Sequence, residues 1–320
     1  MPKISIITTT YKHQDFIEET IKSVLSQTYT DWELLIWDDS PDDKTWQIIQ
    51  KYVKKYPDKI KVWHHSINKG IVENMNFLID KSDKNSKYIA FLEWDDLFTN
   101  NNLEEKINIF NKYKDVKLVY NNLDFIDWKW NIFYKNFLKK VPFYLKNEIL
   151  SKNNFIKYET FYGSYSSLII DKKVLEKEKI VNINKKDKLF TVSDWDLFFR
   201  ISNKYNCYWI EKSLTLYRRY ENNVSWNTLK LFNDLELQVN YYLKNNFISK
   251  ELFNYKLAFI YLLKSVSYLE KYDRKNSLKL LFKAIKLNYL SNLIYKIWIL
   301  ILNLLPKFLI KKVLKIIIKR

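Results

Sequence analysis

Glycine and cysteine are almost absent from this sequence of 320 residues. Its two glycines, Gly70 and Gly163, are too far apart to form the G-x-G-x-x-G dinucleotide fingerprint or the G-x-x-x-x-G-K-[ST] phosphate loop. Any nucleotide site must therefore work without a glycine-rich loop. The single cysteine, Cys207, excludes a disulfide within the chain and a cysteine-based zinc site. Because it lies among apolar residues, we interpret Cys207 as a small buried hydrophobe rather than a nucleophile.

Arginine is also scarce, although the net charge of the chain is +18. Such a charge indicates an anionic partner, and nucleic acid and an anionic membrane are the two candidates. Nearly all of the 54 basic side chains are lysines, whereas proteins that read bases and phosphates usually depend on the bidentate guanidinium. We therefore expect no nucleic-acid partner and favour a membrane surface.

The N-terminus has no charged region followed by a long apolar run, so no signal peptide is predicted. The residues from Ile4 onward already have the pattern of a buried strand. We expect a cytoplasmic protein that is attached peripherally to the inner face of the cell membrane.

The first 120 residues alternate between short apolar runs and segments with helical periodicity. Strands are predicted over Ile4–Thr10, Glu33–Trp37, Lys61–His64, Tyr88–Leu92 and Val116–Tyr120. Helices are predicted over Phe16–Ser26, Thr45–Tyr56 and Ile71–Asp80, and from a capping box of Asn101 and Glu104 to Tyr113. This alternation is typical of an α/β fold with a mostly parallel sheet and helices on both faces. Ligands of such sheets bind beyond the carboxyl ends of the strands, where Asp38-Asp39 and Asp95-Asp96 lie.

The chain changes character after residue 120. Residues 121–225 are less regular, and residues 226–290 have a helical pattern. Within the latter, Leu257–Leu269 and Ser277–Leu287 predict an antiparallel helix pair. We interpret this pair as a packing appendage rather than a partner-binding module.

The segment 291–320 is a basic and apolar tail without an acidic residue. Its apolar stretch Ile297–Leu305 is too short to span a bilayer and is followed by Pro306. Lysines then recur at i, i+4 spacing, at Lys307, Lys311, Lys315 and Lys319. This spacing predicts an interfacial helix whose apolar side enters the headgroup region while its lysines meet anionic lipid. The alternative is a terminal helix that docks on the core of the protein itself.

Aspartates carry most of the candidate chemistry. Asp95 and Asp96 follow an apolar strand and precede a helix, where their oxygens could hold Mg²⁺ or Mn²⁺, although the pair could also be simple turn formers. Asp194, at the entry to a helix, is the candidate general base, with N-capping as the alternative. Tyr11 could stack on a nucleobase, and Asp39 could accept a hydrogen bond from a base N–H.

The three histidines are the alternative candidates for the general base. His13, His64 and His65 lie in an early loop or at a strand end. None has an acidic partner that is evident from the sequence, so we favour Asp194.

Several motifs follow one another in a specific order. They are Ser5-Ile6-Ile7-Thr8-Thr9-Thr10-Tyr11, Ser23-Val24-Leu25-Ser26-Gln27-Thr28 followed by Trp32-Glu33-Leu34, Asp38-Asp39-Ser40, Glu93-Trp94-Asp95-Asp96, and Ser193-Asp194-Trp195-Asp196-Leu197. In order and spacing they closely resemble family 2 glycosyltransferases of the GT-A fold, and the second motif is highly specific. The resemblance covers about residues 3–225, some two-thirds of the chain.

The resemblance implies an inverting enzyme that uses Mn²⁺ or Mg²⁺ to transfer a sugar from a nucleoside diphosphate. In such enzymes the position of Asp194 takes the acceptor proton, and the positions of Asp95 and Asp96 contact ribose and metal. The donor-binding residues that the resemblance implies are Thr9, Tyr11, Asp39, Asp95, Arg218 and Arg219.

Five positions depart from the family pattern. Glu93 stands where Asp is common, Ser193 where an acid often precedes the base, and Lys12 where Asn is frequent. Pro41 interrupts the usual Asp-Asp-Gly-Ser turn. Tyr220 stands where a late loop often has His, which bears on metal or phosphate binding.

We therefore expect a GT-A catalytic domain over residues 1–225, with a nucleotide-sugar half at about 1–120 and an acceptor half at about 121–225. A helical appendage over 226–290 and a membrane-association tail over 291–320 would follow. The expected partners are a nucleotide-sugar donor, a glycan or lipid-linked acceptor for surface polysaccharide, and an anionic membrane.

Two alternative functions are considered. A sugar nucleotidyltransferase would need a phosphate loop rich in glycine and arginine near the N-terminus, and Thr8–Phe16 contains neither residue type. A non-catalytic scaffold that binds membrane or nucleic acid would have no use for a metal.

Overall fold

The computed structural model of the protein describes residues 3–64, 68–137, 149–150, 164–184, 190–220, 228–288 and 293–305. The chain forms two compact units, Met1–Glu221 and Asn222–Arg320. The described part of the first unit is a sheet with helices, and that of the second is helical.

The first unit is built on a large sheet. Its strands in the described ranges are β1 (Lys3–Thr10), β2 (Trp32–Asp38), β3 (Ile60–His64), β4 (Ser86–Phe91), β5 (Leu97–Phe98), β6 (Val116–Ile126), β7 (Ile132–Tyr134), β8 (Ile149–Leu150), β9 (Leu168–Asp171) and β10 (Asn206–Arg218). The main path has the order β3-β2-β1-β4-β9-β6-β10-β5, while β7 pairs with β6 and β8 pairs with β10.

The sheet is mostly parallel, as the sequence predicts. β1 is parallel to β2 and β4, β2 is parallel to β3, and β6 is parallel to β10. β9, which the sequence did not reveal, is antiparallel to both β4 and β6. β4 and β6 therefore run in the same direction, with one reversed strand between them. The amino-terminal end of β9 consequently lies at the edge where β4 and β6 end.

Helices cover both faces of the sheet, which confirms the predicted architecture. The helices of this unit are α1 (Ile17–Leu25), α2 (Asp43–Lys55), α3 (Ile71–Lys81), α4 (Asn102–Lys112), α5 (Lys172–Glu178) and α6 (Ser193–Ser202). Apolar residues of α1, α2 and α4 share one buried cluster with Ile36 of β2. The adjacent Trp37 points to the other face, because side chains alternate along a strand, and it packs on Phe77 of α3.

The predicted capping box at the start of α4 is wrong. Asn101 is the N-cap residue, but its side chain makes no capping bond and donates instead to Glu105 Oε1 (2.9 Å). Glu104 accepts a hydrogen bond from Thr28 Oγ1 (2.6 Å). These side chains are thus used for other contacts, one of which ties α4 to the loop after α1.

Cys207 and Lys106 are both fully buried in the first unit. Cys207 is a free thiol on β10 whose pKa is raised by burial, as expected for a small hydrophobe rather than a nucleophile. Lys106 Nζ, on α4, lies 5.4 Å from the centroid of the Phe98 ring and has no hydrogen-bond partner among the described residues. Burial lowers the pKa of this amine well below its ordinary value of 10.5.

The second unit contains four helices in its described residues: α7 (Thr228–Lys244), α8 (Lys250–Glu270), α9 (Arg274–Leu287) and α10 (Leu293–Leu304). α8 and α9 are the predicted helix pair, and Leu262, Leu281 and Ile299 join α8, α9 and α10 in one core. None of the helices in the described ranges has the length and apolarity that crossing a membrane requires.

Replacing Lys106 with Met is expected to raise the free energy of unfolding at neutral pH, because a buried polar group without a partner costs about 1–3 kcal/mol. The unfolded chain protonates this amine at neutral pH, whereas burial disfavours the proton in the folded state. The free energy of unfolding of the wild type therefore rises as the pH approaches 10.5. Urea titrations at neutral pH and at about pH 9.5 should show the advantage of Lys106→Met shrinking.

The matched control is Lys112→Met, at an exposed position of the same helix. It should change the free energy of unfolding by less than about 0.5 kcal/mol at either pH. A destabilised Lys106→Met variant, or a gain that does not depend on pH, would contradict the prediction.

Candidate active site

The ends of five strands meet at one edge of the sheet. β1, β2, β4, β6 and β10 run in the same direction, so their carboxyl ends lie together with the amino-terminal end of the reversed β9. This edge brings together the predicted site segments that follow β1, β2, β4 and β10. The segments contain Thr9, Tyr11, Asp39, Asp95, Asp96, Arg218 and Arg219.

Asp95 and Asp96 lie in a tight turn directly after β4, which we call the aspartate turn (Glu93–Asp96). The Asp96 N–H donates to the carbonyl of Glu93 (3.1 Å). Thr20 Oγ1 of α1 lies within hydrogen-bonding distance of two carbonyls of the turn (2.8 and 3.1 Å). Asp96 Oδ1 accepts a hydrogen bond from the backbone N–H of Arg218 (3.0 Å). The turn is therefore held from two sides, by α1 and by the end of β10.

Arg218 is fully buried beneath the aspartate turn. Its Nε donates to the carbonyl of Asp95 (2.9 Å), and its Nη2 pairs with Glu19 Oε2 of α1 (2.8 Å). The guanidinium lies between the rings of Phe16 (4.7 Å) and Trp130 (4.8 Å). The resemblance implied a donor contact for this residue. In the structure it positions the turn, and its contact with the donor stays a prediction.

Burial raises the pKa of all three carboxyls of the aspartate turn. The negative charge of Asp96 raises the pKa of Glu93 and Asp95 further. The pKa of Asp96 rises to about 7, although the Ser166 hydroxyl and the Arg218 N–H favour its charged form. A bound cation would reduce the electrostatic repulsion among these three buried carboxylates.

The donor set of the turn fits a divalent cation. Carboxylate oxygens are the ligands that Mg²⁺ prefers, and Asp96 Oδ2 is buried without a hydrogen bond from any described residue. Within the described ranges, no cluster of three or more His, Cys, Asp or Glu side chains could hold an ion. Such a site would need oxygens from the substrate as well, which is how Mg²⁺ is usually held beside phosphates.

Tyr220 supports the side chain of Asp95. Its hydroxyl hydrogen-bonds to the Asp95 carboxyl, and burial together with that negative charge raises the pKa of the phenol. Its ring packs on Phe16 and Trp94, with centroids 5.2 and 6.3 Å apart. From the sequence, Tyr220 was only a departure from His. The structure shows that the exchange provides a hydrogen-bond donor to one of the candidate metal ligands.

Asp194 lies at the start of α6, but it does not cap the helix, because the N-cap residue is Val192. Its Oδ1 accepts a hydrogen bond from the Trp195 N–H (2.8 Å). Burial raises the pKa of Asp194 to about 7. Its charge contributes to the raised pKa of Glu93, so the two carboxyls interact electrostatically. A carboxyl with such a pKa can accept and release a proton near neutral pH.

Asp39 is buried at the end of β2 with donors already around it. Its Oδ1 accepts from Trp37 Nε1, and its Oδ2 accepts from the Lys69 N–H (3.0 Å) and from Asn74 Nδ2 (2.6 Å). A carboxylate has about four acceptor positions, so these three donors leave about one of them for a nucleobase N–H. Two of the three donors come from the segment before α3 and from α3 itself, which the sequence did not reveal.

The loops after β1 and β2 are joined beside Asp39. The Asp39 N–H donates to the Thr10 carbonyl (3.0 Å), and the Lys12 N–H donates to Ser40 Oγ (2.8 Å). Thr9 is buried within β1, and Tyr11 has 39% of its surface exposed. The Tyr11 ring is therefore partly exposed near Asp39, and its stacking on a nucleobase stays a prediction.

The two histidines that the structure describes, His13 and His64, have different surroundings. His64 has the acidic partner that the sequence did not reveal, since its Nδ1 lies 3.6 Å from Asp38 Oδ2. His13 stacks on Trp94, and burial lowers its pKa to about 3, so it is neutral at physiological pH. His65 lies outside the described residues. Asp194 stays the candidate base, because burial raises its pKa to about 7.

Sequence comparison identifies the family of the chain. Residues 5–178, more than half of its length, match the family model described as Glycosyl transferase family 2. The chain belongs to glycosyltransferase family 2.

Curated relatives of this family 2 glycosyltransferase include bacterial proteins. The putative glycosyltransferase EpsE of Bacillus subtilis is 33% identical over 118 residues, which is 37% of this chain and 42% of EpsE. The putative teichuronic acid biosynthesis glycosyltransferase TuaG of the same species is 35% identical over 33% of this chain and 41% of TuaG. The chain thus matches about two fifths of these two relatives. The dTDP-rhamnosyl transferase RfbG of Shigella flexneri is 29% identical over 67% of this chain and 72% of RfbG.

Solved structures show that this glycosyltransferase has the GT-A fold that the sequence predicts. TarS of S. aureus (residues 1–349, in complex with UDP-GlcNAc) matches with a TM-score of 0.58 and 14% identity, over 89% of this chain and 81% of that one. The mannosyltransferase PcManGT of Pyrobaculum calidifontis, in complex with GDP-Man and Mn²⁺, matches with a TM-score of 0.56 and 13% identity, over 89% and 75%. At these identities the likeness concerns the fold.

Several residues of the glycosyltransferase site were not found from its sequence. Glu19 and Thr20 of α1 support the aspartate turn, and Ser166 precedes β9. In the sequence, each of these residues is only a polar residue near a helix or strand. Their position beside the aspartate turn becomes evident only in the structure. Arg219, whose guanidinium lies 5.0 Å from the centroid of the Phe125 ring, keeps its donor role as a prediction.

Replacing Glu19 with Ala is expected to destabilise the protein and to impair transfer. The change leaves the buried Arg218 guanidinium without its carboxylate, and a hydrogen bond to a charged group contributes about 1.5–3 kcal/mol. Thermal or urea unfolding would measure the loss. Transfer should fall further than the folded fraction does, because Arg218 also positions the Asp95 carbonyl.

Glu18→Ala is the matched control, since Glu18 pairs with Lys22 on the exposed side of the same helix. Exposed pairs of this kind contribute about 0–1 kcal/mol. Equal losses in the two variants would show that Glu19 is an ordinary surface residue.

Proposed function

We propose that the chain is a metal-dependent, inverting glycosyltransferase. It would move a sugar from a nucleoside-diphosphate donor, most suitably a UDP-sugar, to a hydroxyl of a glycan or lipid-linked acceptor. The observation that carries the proposal is the group of buried carboxyls at the carboxyl edge of the sheet. Glu93, Asp95 and Asp96 meet in one turn, and Asp194 lies near Glu93 with a pKa of about 7.

The donor would lie across the edge of the sheet. Its base would stack on Tyr11 and donate an N–H to Asp39. Uracil and thymine present one N–H between two carbonyls, which suits the one acceptor position that the described donors leave on Asp39. Guanine presents two adjacent donors and suits this place less well. TarS, whose structure contains UDP-GlcNAc, supports a uridine donor, and RfbG is described as a dTDP-rhamnosyl transferase.

The diphosphate would lie beside the aspartate turn. A divalent cation bound by Asp96 and Asp95 would neutralise the charge that grows on the leaving diphosphate. Arg218, Glu19 and Tyr220 keep the two carboxyls in place before any ligand arrives. The PcManGT structure, which contains Mn²⁺, supports a metal of this kind.

Asp194 would act as the general base. Its carboxylate takes the proton of the acceptor hydroxyl while that oxygen attacks the anomeric carbon, and the bond from this carbon to the diphosphate oxygen breaks. Attack from the side opposite the diphosphate inverts the anomeric configuration. This mechanism needs one basic carboxyl and no enzyme nucleophile, and Asp194 has a suitable pKa.

A role in surface polysaccharide synthesis and a place at the inner face of the membrane complete the proposal. The relative TuaG is described as acting in teichuronic acid biosynthesis. Helix α10 buries Ile299 and Leu302 but leaves Ile297, Leu300, Ile301 and Leu304 exposed at i, i+3, i+4, i+7 spacing. This apolar stripe precedes the basic residues 307–320, which lie outside the described residues. Together they suit an anionic membrane surface.

Replacing Asp194 with Asn is expected to reduce transfer by about 10²–10⁴-fold while donor binding remains. Wild-type turnover should fall as the pH falls through about 7, because the base must be ionised and its pKa lies there. Initial rates across this pH range measure the effect. Thermal shifts with UDP-, GDP- and dTDP-sugars, each with and without Mn²⁺, measure donor binding in the wild type and the variant. A cognate donor at 100 times its Kd stabilises by about 2.7 kcal/mol.

The control variant is Asp58→Asn, at an exposed position of the first unit. It should keep wild-type rates and shifts. Retained turnover in Asp194→Asn would exclude this residue as the base. A shift that is the same with and without Mn²⁺ would exclude the metal, and a larger shift with GDP-sugars would exclude the uridine donor.

Replacing Leu304 with Asp is expected to weaken binding to vesicles that contain anionic lipid. Leu304 is 77% exposed, so the change places a charge on the apolar stripe at little cost to folding. Vesicle sedimentation at low and high salt measures the binding. Leu237→Asp, at an exposed position of α7, is the control with the same change of charge. Equal losses in both variants would attribute the effect to charge alone and exclude the stripe.

A further inference from the structure

The hairpin that joins β6 to β7 exposes large aromatic side chains. Trp128 is 63% exposed, Trp130 is 43% exposed, and Phe133 on β7 is 56% exposed. These residues follow the carboxyl end of β6, which belongs to the edge that carries the site. The roles proposed for the donor, the metal and the base do not use the faces of Trp128 and Phe133, whereas the Trp130 ring contacts the Arg218 guanidinium.

The tip of the hairpin, residues 127–131, has a fixed shape. Asp127 Oδ1 accepts from the N–H groups of Lys129 (2.8 Å) and Asn131 (2.9 Å), and its Oδ2 accepts from Asn131 Nδ2 (3.0 Å). The Asp127 N–H donates to the Asn131 carbonyl (3.1 Å). A single carboxylate thus organises the whole tip, so Trp128 and Trp130 are presented in a defined arrangement.

The backbone of Trp130 is strained in this arrangement. Its φ is 72°, in the left-handed region, which is rare and costs of order 1–3 kcal/mol for a residue other than glycine. Strain of this kind persists where the surroundings impose it, and it is concentrated at ligand sites. Here the imposed conformation lets the Trp130 ring contact Arg218 while the indole N–H hydrogen-bonds to Glu19.

The hairpin is also connected to the aspartate turn through Arg218. The Arg218 guanidinium lies 4.8 Å from the Trp130 ring and donates through Nε to the Asp95 carbonyl (2.9 Å). Its Nη1 lies 3.4 Å from the Trp128 carbonyl. The exposed rings are therefore attached to the residue that positions the candidate metal ligands. A molecule on these rings would be held next to the site.

We propose that Trp128 and Trp130 form a stacking platform for a sugar ring of the acceptor, so the acceptor is a glycan; this rests on the proposed function. The C–H faces of a pyranose are apolar and suit the face of an indole, while its hydroxyls suit a polar rim. Lys129 Nζ lies 4.8 Å from the Trp128 ring centroid, and Lys129 and Asn131 supply polar groups at the tip. The charged Asp127 at the centre of the tip disfavours insertion into lipid.

The test compares the full-length wild type with Trp128→Ala, Trp128→Phe and Phe282→Ala. Phe282 is an exposed aromatic residue of the second unit and serves as the control. A microarray of soluble bacterial glycan fragments measures glycan binding without turnover. Acceptor KM, donor KM and donor hydrolysis without acceptor are measured separately. Sedimentation with vesicles of phosphatidylglycerol and phosphatidylethanolamine measures lipid binding.

We expect Trp128→Ala to weaken glycan binding and raise the acceptor KM by about tenfold, as the loss of an aromatic stacking partner should. Trp128→Phe should keep glycan binding and the acceptor KM close to those of the wild type. The donor KM and donor hydrolysis of both variants should equal those of the wild type. Phe282→Ala should change none of them. A wild type that binds no glycan, or a Trp128→Ala variant that binds as the wild type does, overturns the platform. So does a variant that loses only vesicle binding.

Failure of the proposed function would look different. If the wild type neither hydrolyses a nucleotide sugar nor transfers its sugar, the glycosyltransferase mechanism is contradicted. The microarray still decides the platform in that case, because glycan binding is read without any donor.

Discussion

The buried guanidinium of Arg218 is the interaction on which the site depends. It joins the end of β10, the main chain of Asp95, the carboxylate of Glu19 on α1 and the ring of Trp130. A buried cation needs such partners, because desolvation is costly unless charge and hydrogen bonds compensate it. The same partners fix a turn in which three carboxyls repel one another. The positive charge beneath the turn therefore makes this group of acids tolerable before a metal or donor is bound.

The α/β architecture could be predicted from the sequence because its elements are local patterns. Apolar runs and helical periodicity placed most strands and helices of the first 120 residues within a few positions of their observed bounds. The short strand β5 was missed, and β6 continues to Ile126, six residues beyond its predicted end. β9 was missed because a four-residue strand between parallel neighbours has no periodicity of its own. The capping box failed because Glu104 found Thr28, a residue distant in sequence. A tertiary hydrogen bond thus replaced the local capping interaction of Glu104.

The site could be predicted only in part. Asp95, Asp96, Asp39 and Asp194 could be predicted as candidates because their order and spacing resemble those of family 2 glycosyltransferases. Their supports were not evident, since Tyr220 reaches Asp95 and Asn74 reaches Asp39 only after the sheet has formed. The resemblance placed Arg218 in a donor-side loop near the diphosphate. Its burial and its contacts with the aspartate turn are properties of the folded chain.

The pairing of Glu19 with Arg218 spans 199 positions of the chain. During synthesis, the strands from β1 to β4 can form while Arg218 has yet to be made, and the acids of the turn then lack their cation. Contacts of such long range slow the search for the native state. The arrangement at the edge of the sheet is therefore complete only after the β10 end has docked. A fragment that stops before it would keep much of the sheet and lose the arrangement at its edge.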